Sequence, residues 1–151
     1  MHPALIGSNS ASSPDFIAQE TLVFRRDARR YEPGSMNLAG LVGFRAALEL
    51  LLEYGMTEIE QRVLALAKQV ITRGTSAGCS PIGPSGDTGM SGIVSLTAAN
   101  QDVAKWQARL EASNVFTSLR RCRDGRRCLR VSAHFYNREE EIAAVFDETR
   151  Q

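Results

Sequence analysis

The chain has 151 residues with 43% hydrophobic and 23% charged side chains, enough for a soluble domain with a real hydrophobic core. Its formal net charge of +1 offers no global field to draw nucleic acid or an anionic membrane. No run approaches the ~18 apolar residues that would span a bilayer, and Met1-His2-Pro3 lacks the basic start and apolar stretch of a signal peptide.

Of 18 basic residues only Lys68 and Lys105 are lysines, so the chain is rich in guanidinium groups that can fork onto carboxylates or phosphates. High-GC coding bias would produce the same composition. Three cysteines, Cys79, Cys122 and Cys128, are too few and too unevenly spaced for a disulfide framework, which points to a reducing cytoplasm.

Residues 1–20 are small, polar and aperiodic, and read as a loop or arm. Thr21 to Phe24 suits a short strand, and Arg25 to Pro33 an arginine-dense connector. From Asn37, Leu38, Leu41, Val42, Leu48, Leu51 and Leu52 recur at helical spacing up to Gly55. Thr57 and Glu60 form a capping-box pattern for a second helix, with Ile59, Val63, Leu66 and Val70 inward and Gly74 at its end. Thr75 to Ser91, with four glycines and two prolines, reads as a flexible connection.

Gly92 to Thr97 is strand-like, and Asn100 is placed to cap a helix whose inner face is Val103, Trp106 and Leu110. Val115 to Arg121 and Arg126 to Val131 form a hairpin about Asp124-Gly125. Asn137 and Glu140 repeat the capping geometry before a last helix bearing Ile142, Val145 and Phe146. The expected class is α+β: two long N-terminal helices, then a small antiparallel sheet covered on one face by helices. Residues 1–34 would be arm and connector, 35–74 a linking helical segment, and 75–151 a small C-terminal domain. Severed from any neighbour, the linking helices would expose an apolar face.

If Asp124-Gly125 is a two-residue type I′ turn, Arg121 faces Cys128 and Leu119 faces Arg130. Phe116, Leu129 and Val131 then point to the core, and Arg130 points away with Leu119, Arg121 and Cys128. On that pattern Arg130 could meet either solvent or a ligand. The same register puts Cys122 and Cys128 on opposite faces, which disfavours a disulfide or a metal shared with His134.

Two stretches carry a family resemblance. One is Arg29-Arg30-Tyr31-Glu32-Pro33-Gly34-Ser35-Met36-Asn37-Leu38-Ala39-Gly40; the other is Leu129-Arg130-Val131-Ser132-Ala133-His134-Phe135-Tyr136-Asn137, followed by Arg138-Glu139-Glu140-Glu141-Ile142. In this order they resemble signatures of the class V aminotransferases, fold-type I pyridoxal-phosphate enzymes that include cysteine desulfurases and isopenicillin N epimerase-like proteins. The resemblance covers nearly the whole chain from Phe24 onward, and identifies it as similar to the C-terminal part of such a protein.

The resemblance implies a dimeric parent acting on an amino acid, with pyridoxal phosphate as cofactor. It puts Arg130 on the arginine that holds the substrate α-carboxylate, a task suited to a planar fork. Ser35, with Gly34, falls on the loop that reaches across the dimer interface to the partner's cofactor phosphate. A Gly-Ser turn before a helix suits an anion; simple N-capping by Ser35 is compatible with that role.

The family's Schiff-base lysine, its aspartate at the pyridine nitrogen and its ring-stacking residue all precede this segment. Lys68 and Lys105 lie in amphipathic helices away from both motifs. The chain alone is therefore expected to be a non-catalytic fragment that retains no cofactor and holds no metal, in solution a homodimer or fragment oligomer. Cysteine desulfurases carry a nucleophilic cysteine on a loop well upstream of the arginine; here a tight turn stands there instead. That departure favours an aminotransferase, lyase or epimerase type of parent. The rival reading is a non-catalytic module binding nucleic acid through the arginine-rich hairpin, against which stand the small net charge and the lack of interleaved aromatics.

Overall fold

The computed structural model describes residues 3–12, 20–84, 89–99, 101–122 and 124–147. They fall into two units, Met1–Leu50 and Leu51–Gln151.

In the first unit the chain turns at Gly7, where the Ser10 hydroxyl accepts from the Gly7 N–H and donates to the Gly7 carbonyl, each at 2.8 Å. Instead of a strand over Thr21 to Phe24 there is an isolated bridge between Ala11 and Phe24. A short 3-10 helix, Ala28–Tyr31, follows; the Asp27 carboxylate caps it by accepting from the Arg29 N–H at 3.0 Å. Helix α1, Leu38–Tyr54, buries none of its residues. Leu38, Leu41, Leu48 and Leu52 are all between 41% and 69% exposed, so the apolar stripe read from the sequence has no partner among the described residues.

One glycine ends α1 and starts α2, Met56–Ser76. The Gly55 N–H donates to Leu51 O at 3.1 Å, its carbonyl accepts from Ile59 N at 3.1 Å, and its φ of +101° is one that residues with a Cβ rarely adopt. The expected Thr57–Glu60 capping box does not form, because Thr57 already lies inside the helix. Gly74 does not end α2 either. It is buried against the sheet, where an added Cβ would stand 2.9 Å from Leu96 Cδ1. The helix runs on to Ser76, and Gly78, at φ +79°, follows its end.

Four strands are described: β1 Cys79–Ile82, β2 Ile93–Ala98, β3 Ser118–Arg121 and β4 Arg127–Ser132, antiparallel in the order β1-β2-β4-β3. β1 falls in the stretch expected to be a flexible connection. It is an edge strand and contains Pro81, a residue that sheets accept at edges. Helix α3, Val103–Ala112, is capped by Asp102, whose carboxylate accepts from Ala104 N at 2.9 Å; the expected cap, Asn100, lies outside the described residues. Helix α4, Glu139–Asp147, starts with Glu141 Oε2 accepting from Arg138 N at 2.8 Å, so the capping acid is Glu141 and not Glu140.

Helices α2, α3 and α4 contribute the inner layer of the core: Leu66 and Val70, then Trp106 and Leu110, then Ile142, Val145 and Phe146. They pack on Val94, Leu96, Leu129 and Val131, the alternate residues of β2 and β4. This is the α+β layer expected, with helices on one face of the sheet and the other face open.

Candidate functional site

The site is built on the open face, and the turn between β3 and β4 decides what stands there. The Cys122 N–H donates to Arg126 O at 2.8 Å and the Gly125 N–H to Cys122 O at 3.0 Å, so three residues form the loop rather than two. A type I′ turn needs positive φ at both Asp124 and Gly125. Among the described residues only Gly125 of that pair has it, at +86°. Asp124 instead uses its carboxylate, accepting from Arg126 N at 3.0 Å and from Arg126 Nε at 2.7 Å. The guanidinium bond holds the Asp124 carboxyl below its usual range.

The longer turn slips β3 by one residue against β4. Leu119 pairs with Leu129, Arg120 with Cys128, and Ser118 with Arg130. A one-residue slip reverses every side chain of β3, so Leu119 packs on the core and Arg120 joins the open face, opposite to the two-residue expectation. Phe116 is also not a core residue: it lies before β3 and is 78% exposed, while Val115 packs inward. The slip leaves Arg130 on the open face, since β2 holds β4 from the other side through Ser95–Arg130.

Arg130 is half-buried, with Ser95, Ser118, Arg120 and Cys128 around it by register. It lines a depression of about 680 Å³ shared with Ile82, Ile93 and Ser95. Among the described residues its guanidinium has no hydrogen-bond or ion-pair partner, whereas Arg126 is tied to Asp124 and Arg121 donates to Gly125 O at 3.4 Å. A half-buried guanidinium without a counter-charge is a vacant fork for a carboxylate or another planar anion. Alternation on β2, with Val94 and Leu96 inward, was the available signal for Ser95 as its neighbour; the sequence reading did not use it.

The same slip corrects the cysteines. Cys122 and Cys128 share the open face, on diagonal positions of the hairpin, and both line the same depression. Burial, and then the neighbouring Cys122, push the Cys128 thiol up. His134 is not part of this cluster, and no group of three or more metal-binding side chains occurs among the described residues.

Gly34 and Ser35 belong to the other unit. Ser35 is exposed, three residues ahead of α1, and does not cap it. The cap is Asn37, whose Oδ1 accepts from Gly40 N at 2.9 Å. Asn9 Nδ2 donates to the Gly34 carbonyl at 3.1 Å, and nothing lies within 4 Å of where a Gly34 Cβ would stand. The loop is thus braced on its carbonyl side and open around Gly34, which fits a phosphate. Lys68 and Lys105 are exposed on α2 and α3, and neither lines the Arg130 depression.

The family model for "Aminotransferase class-V" matches residues 1–145. A probable cysteine desulfurase from Pasteurella multocida (strain Pm70) is 35% identical over 69 residues, covering 46% of this chain and 16% of that protein. The fold resembles that of the apo cysteine desulfurase from Thermococcus onnurineus NA1, at a TM-score of 0.80 and 19% identity, over 97% of this chain and 38% of that one. The cysteine desulfurase CsdA from Escherichia coli gives a TM-score of 0.75 at 20% identity, over 97% of this chain and 37% of that one. A complex of the cystine C-S lyase C-DES with cysteine persulfide gives 0.75 at 20% identity, over 97% and 38%. The chain therefore spans well under half the length of the proteins it matches. With a family model aligned over all but its last residues, this chain belongs to the class V aminotransferase family.

Proposed function

We propose that this chain supplies the substrate-carboxylate clamp and a phosphate-binding loop to a pyridoxal-phosphate enzyme that acts on an amino acid. The observation that carries this reading is Arg130: a half-buried guanidinium on the open face of the sheet, without a hydrogen-bond or ion-pair partner among the described residues, near the start of the second family motif. A substrate carboxylate would meet both arms of the fork, with the Ser95 and Ser118 hydroxyls on the same face to orient it. The fork fixes the α-carbon of the substrate, so binding energy at the carboxylate is turned into orientation at the reacting bond.

Pyridoxal phosphate, when bound, supplies the electron sink for reaction at that α-carbon. Gly34 and Ser35 would hold the cofactor phosphate of a dimer partner, Ser35 by its exposed hydroxyl and Gly34 by leaving the backbone accessible. One solved relative carries glycine covalently linked to its pyridoxal-phosphate cofactor, which supports both cofactor and substrate class. Residues 35–74 would link the large and small domains of the parent. The short turn at Asp124-Gly125 leaves no loop for a desulfurase-type nucleophile ahead of Arg130, and supports an aminotransferase, lyase or epimerase reaction. Nucleic-acid binding has less support, because the net charge is only +1 and the depression that Arg120, Arg121, Arg126 and Arg130 share has no aromatic residue among the described residues of its lining.

The test is Arg130→Ala in the parent enzyme. Loss of a bidentate contact to a desolvated carboxylate costs roughly 2–5 kcal/mol, so turnover should collapse while the absorbance of bound cofactor is retained. Loss of the cofactor instead, or unchanged turnover, would remove Arg130 from the substrate site.

A further inference from the structure

We propose that Cys122 and Cys128 are a reversible redox pair, which closes to a disulfide by exchange with a small-molecule disulfide. Register brings them together. Arg120 pairs with Cys128 and the Cys122 N–H with Arg126 O, so the cysteines are diagonal neighbours on one face of the hairpin. Diagonal positions lie about 7–8 Å apart at Cα, less at Cβ. That is beyond the roughly 7 Å a disulfide bridges without backbone movement, so closure requires the strand ends to draw together, and at a three-residue turn they are the part of the hairpin freest to tighten. Both cysteines line the same depression beside that turn.

The two positions are not equivalent. Cys122 is half-buried beside the turn, on the rim of the open depression, whereas Cys128 is 4% exposed beneath it. Burial keeps Cys128 protonated more strongly than an ordinary thiol. Cys122 is therefore the attacking group and Cys128 the resolving one. Cys79 plays no part: it is buried on the core face of β1.

The exchange balances in two steps. The Cys122 thiolate attacks one sulfur of oxidised glutathione, the small disulfide's S–S bond breaks, and one glutathione leaves as thiolate. Cys128 then loses its proton to water and attacks Cys122 Sγ, expelling the second glutathione. The protein dithiol is oxidised by two electrons, the small disulfide is reduced to two thiols, and the protons end on them. Because Cys128 lies two residues from Arg130 on the same face, the bond would stiffen the floor beside that arginine; this last consequence alone rests on the proposed substrate role.

The experiment reads thiol state, not activity. The chain is incubated with oxidised glutathione, acid-quenched, alkylated and digested with trypsin, which cuts between the two cysteines. The expected product is a linked peptide pair holding Cys122 and Cys128, short of two hydrogens and restored by dithiothreitol. Cys128→Ser should stop at a stable glutathione adduct on Cys122, and Cys122→Ser should leave Cys128 unmodified over the same period. A persistent glutathione adduct on Cys122 in the unsubstituted chain overturns the proposal. So does a disulfide formed only between chains, or a Cys128 that reacts first.

Discussion

The indole Nε1 of Trp106, on α3, donates to the carbonyl oxygen of Val145, on α4, at 3.2 Å, and the tryptophan is fully buried. The bond joins the two helices above the sheet, and Trp106 also meets the Phe146 ring at 6.0 Å between centroids. Trp106→Phe removes the donor and leaves a buried carbonyl unmatched, at a cost of about 1–3 kcal/mol. Urea unfolding followed by circular dichroism should show an earlier midpoint with little change in slope.

Glu141 gives α4 an acid-sensitive start. Its carboxylate accepts from the Arg138 N–H and the Asn137 amide, and these bonds, the backbone one first, lower its pKa from the usual 4.5. A depressed carboxyl stabilises the fold above its unfolded value and loses that contribution as pH falls through the folded one. The melting temperature should therefore decline below about pH 4.5. Glu141→Gln, which keeps an acceptor but cannot titrate, should flatten part of that acid limb; Asp27 and Asp124, also depressed, should retain the rest.

Arg130 should be nearly silent in the stability of this chain. It faces away from the core and has no described partner to orphan. Arg130→Ala should shift the midpoint by no more than about 0.5 kcal/mol. A large loss in calorimetry would make it a structural residue. In the parent, Arg130→Lys should restore turnover only partly, since an ammonium lacks the fork.

By itself the chain should hold pyridoxal phosphate weakly, because neither Lys68 nor Lys105 lies at the Arg130 depression. Incubation with the cofactor followed by dialysis should leave no absorbance band of bound cofactor. A band that survives dialysis would locate an unforeseen attachment site.

Much of the core was legible before the structure. Val103, Trp106 and Leu110, and Ile142, Val145 and Phe146, followed from helical spacing alone, and all six are buried. β1 was hidden because a four-residue strand containing Pro81 sits among glycines that signal loop. The start of α2 was misplaced because Gly55 serves two helix ends at once, leaving no room for a side-chain cap. At the site, alternation along β4 sufficed for the face of Arg130, but its neighbours depended on the length of the turn. That length turned on the backbone of Asp124, which prefers its own carboxylate bonds to a left-handed conformation. An aspartate-glycine pair is compatible with both turns.

The exposed leucines of α1 should drive self-association. Light scattering should report a concentration-dependent oligomer, and Leu41→Glu with Leu48→Glu should reduce it to a monomer. A monomer at all concentrations in the unsubstituted chain would mean the stripe is covered in solution.

Pro81 shapes the kind of assembly that can result. A growing fibril recruits each new molecule through the free backbone groups of a sheet's outermost strand. Here one border is short and lacks an amide hydrogen at Pro81, and the other carries Arg120 and Arg121, whose like charges would face one another across any added copy. Clustering through leucine-lined helices is therefore not carried on by either edge of the described sheet, and crowded samples of this chain should stay dark to thioflavin even as they scatter light.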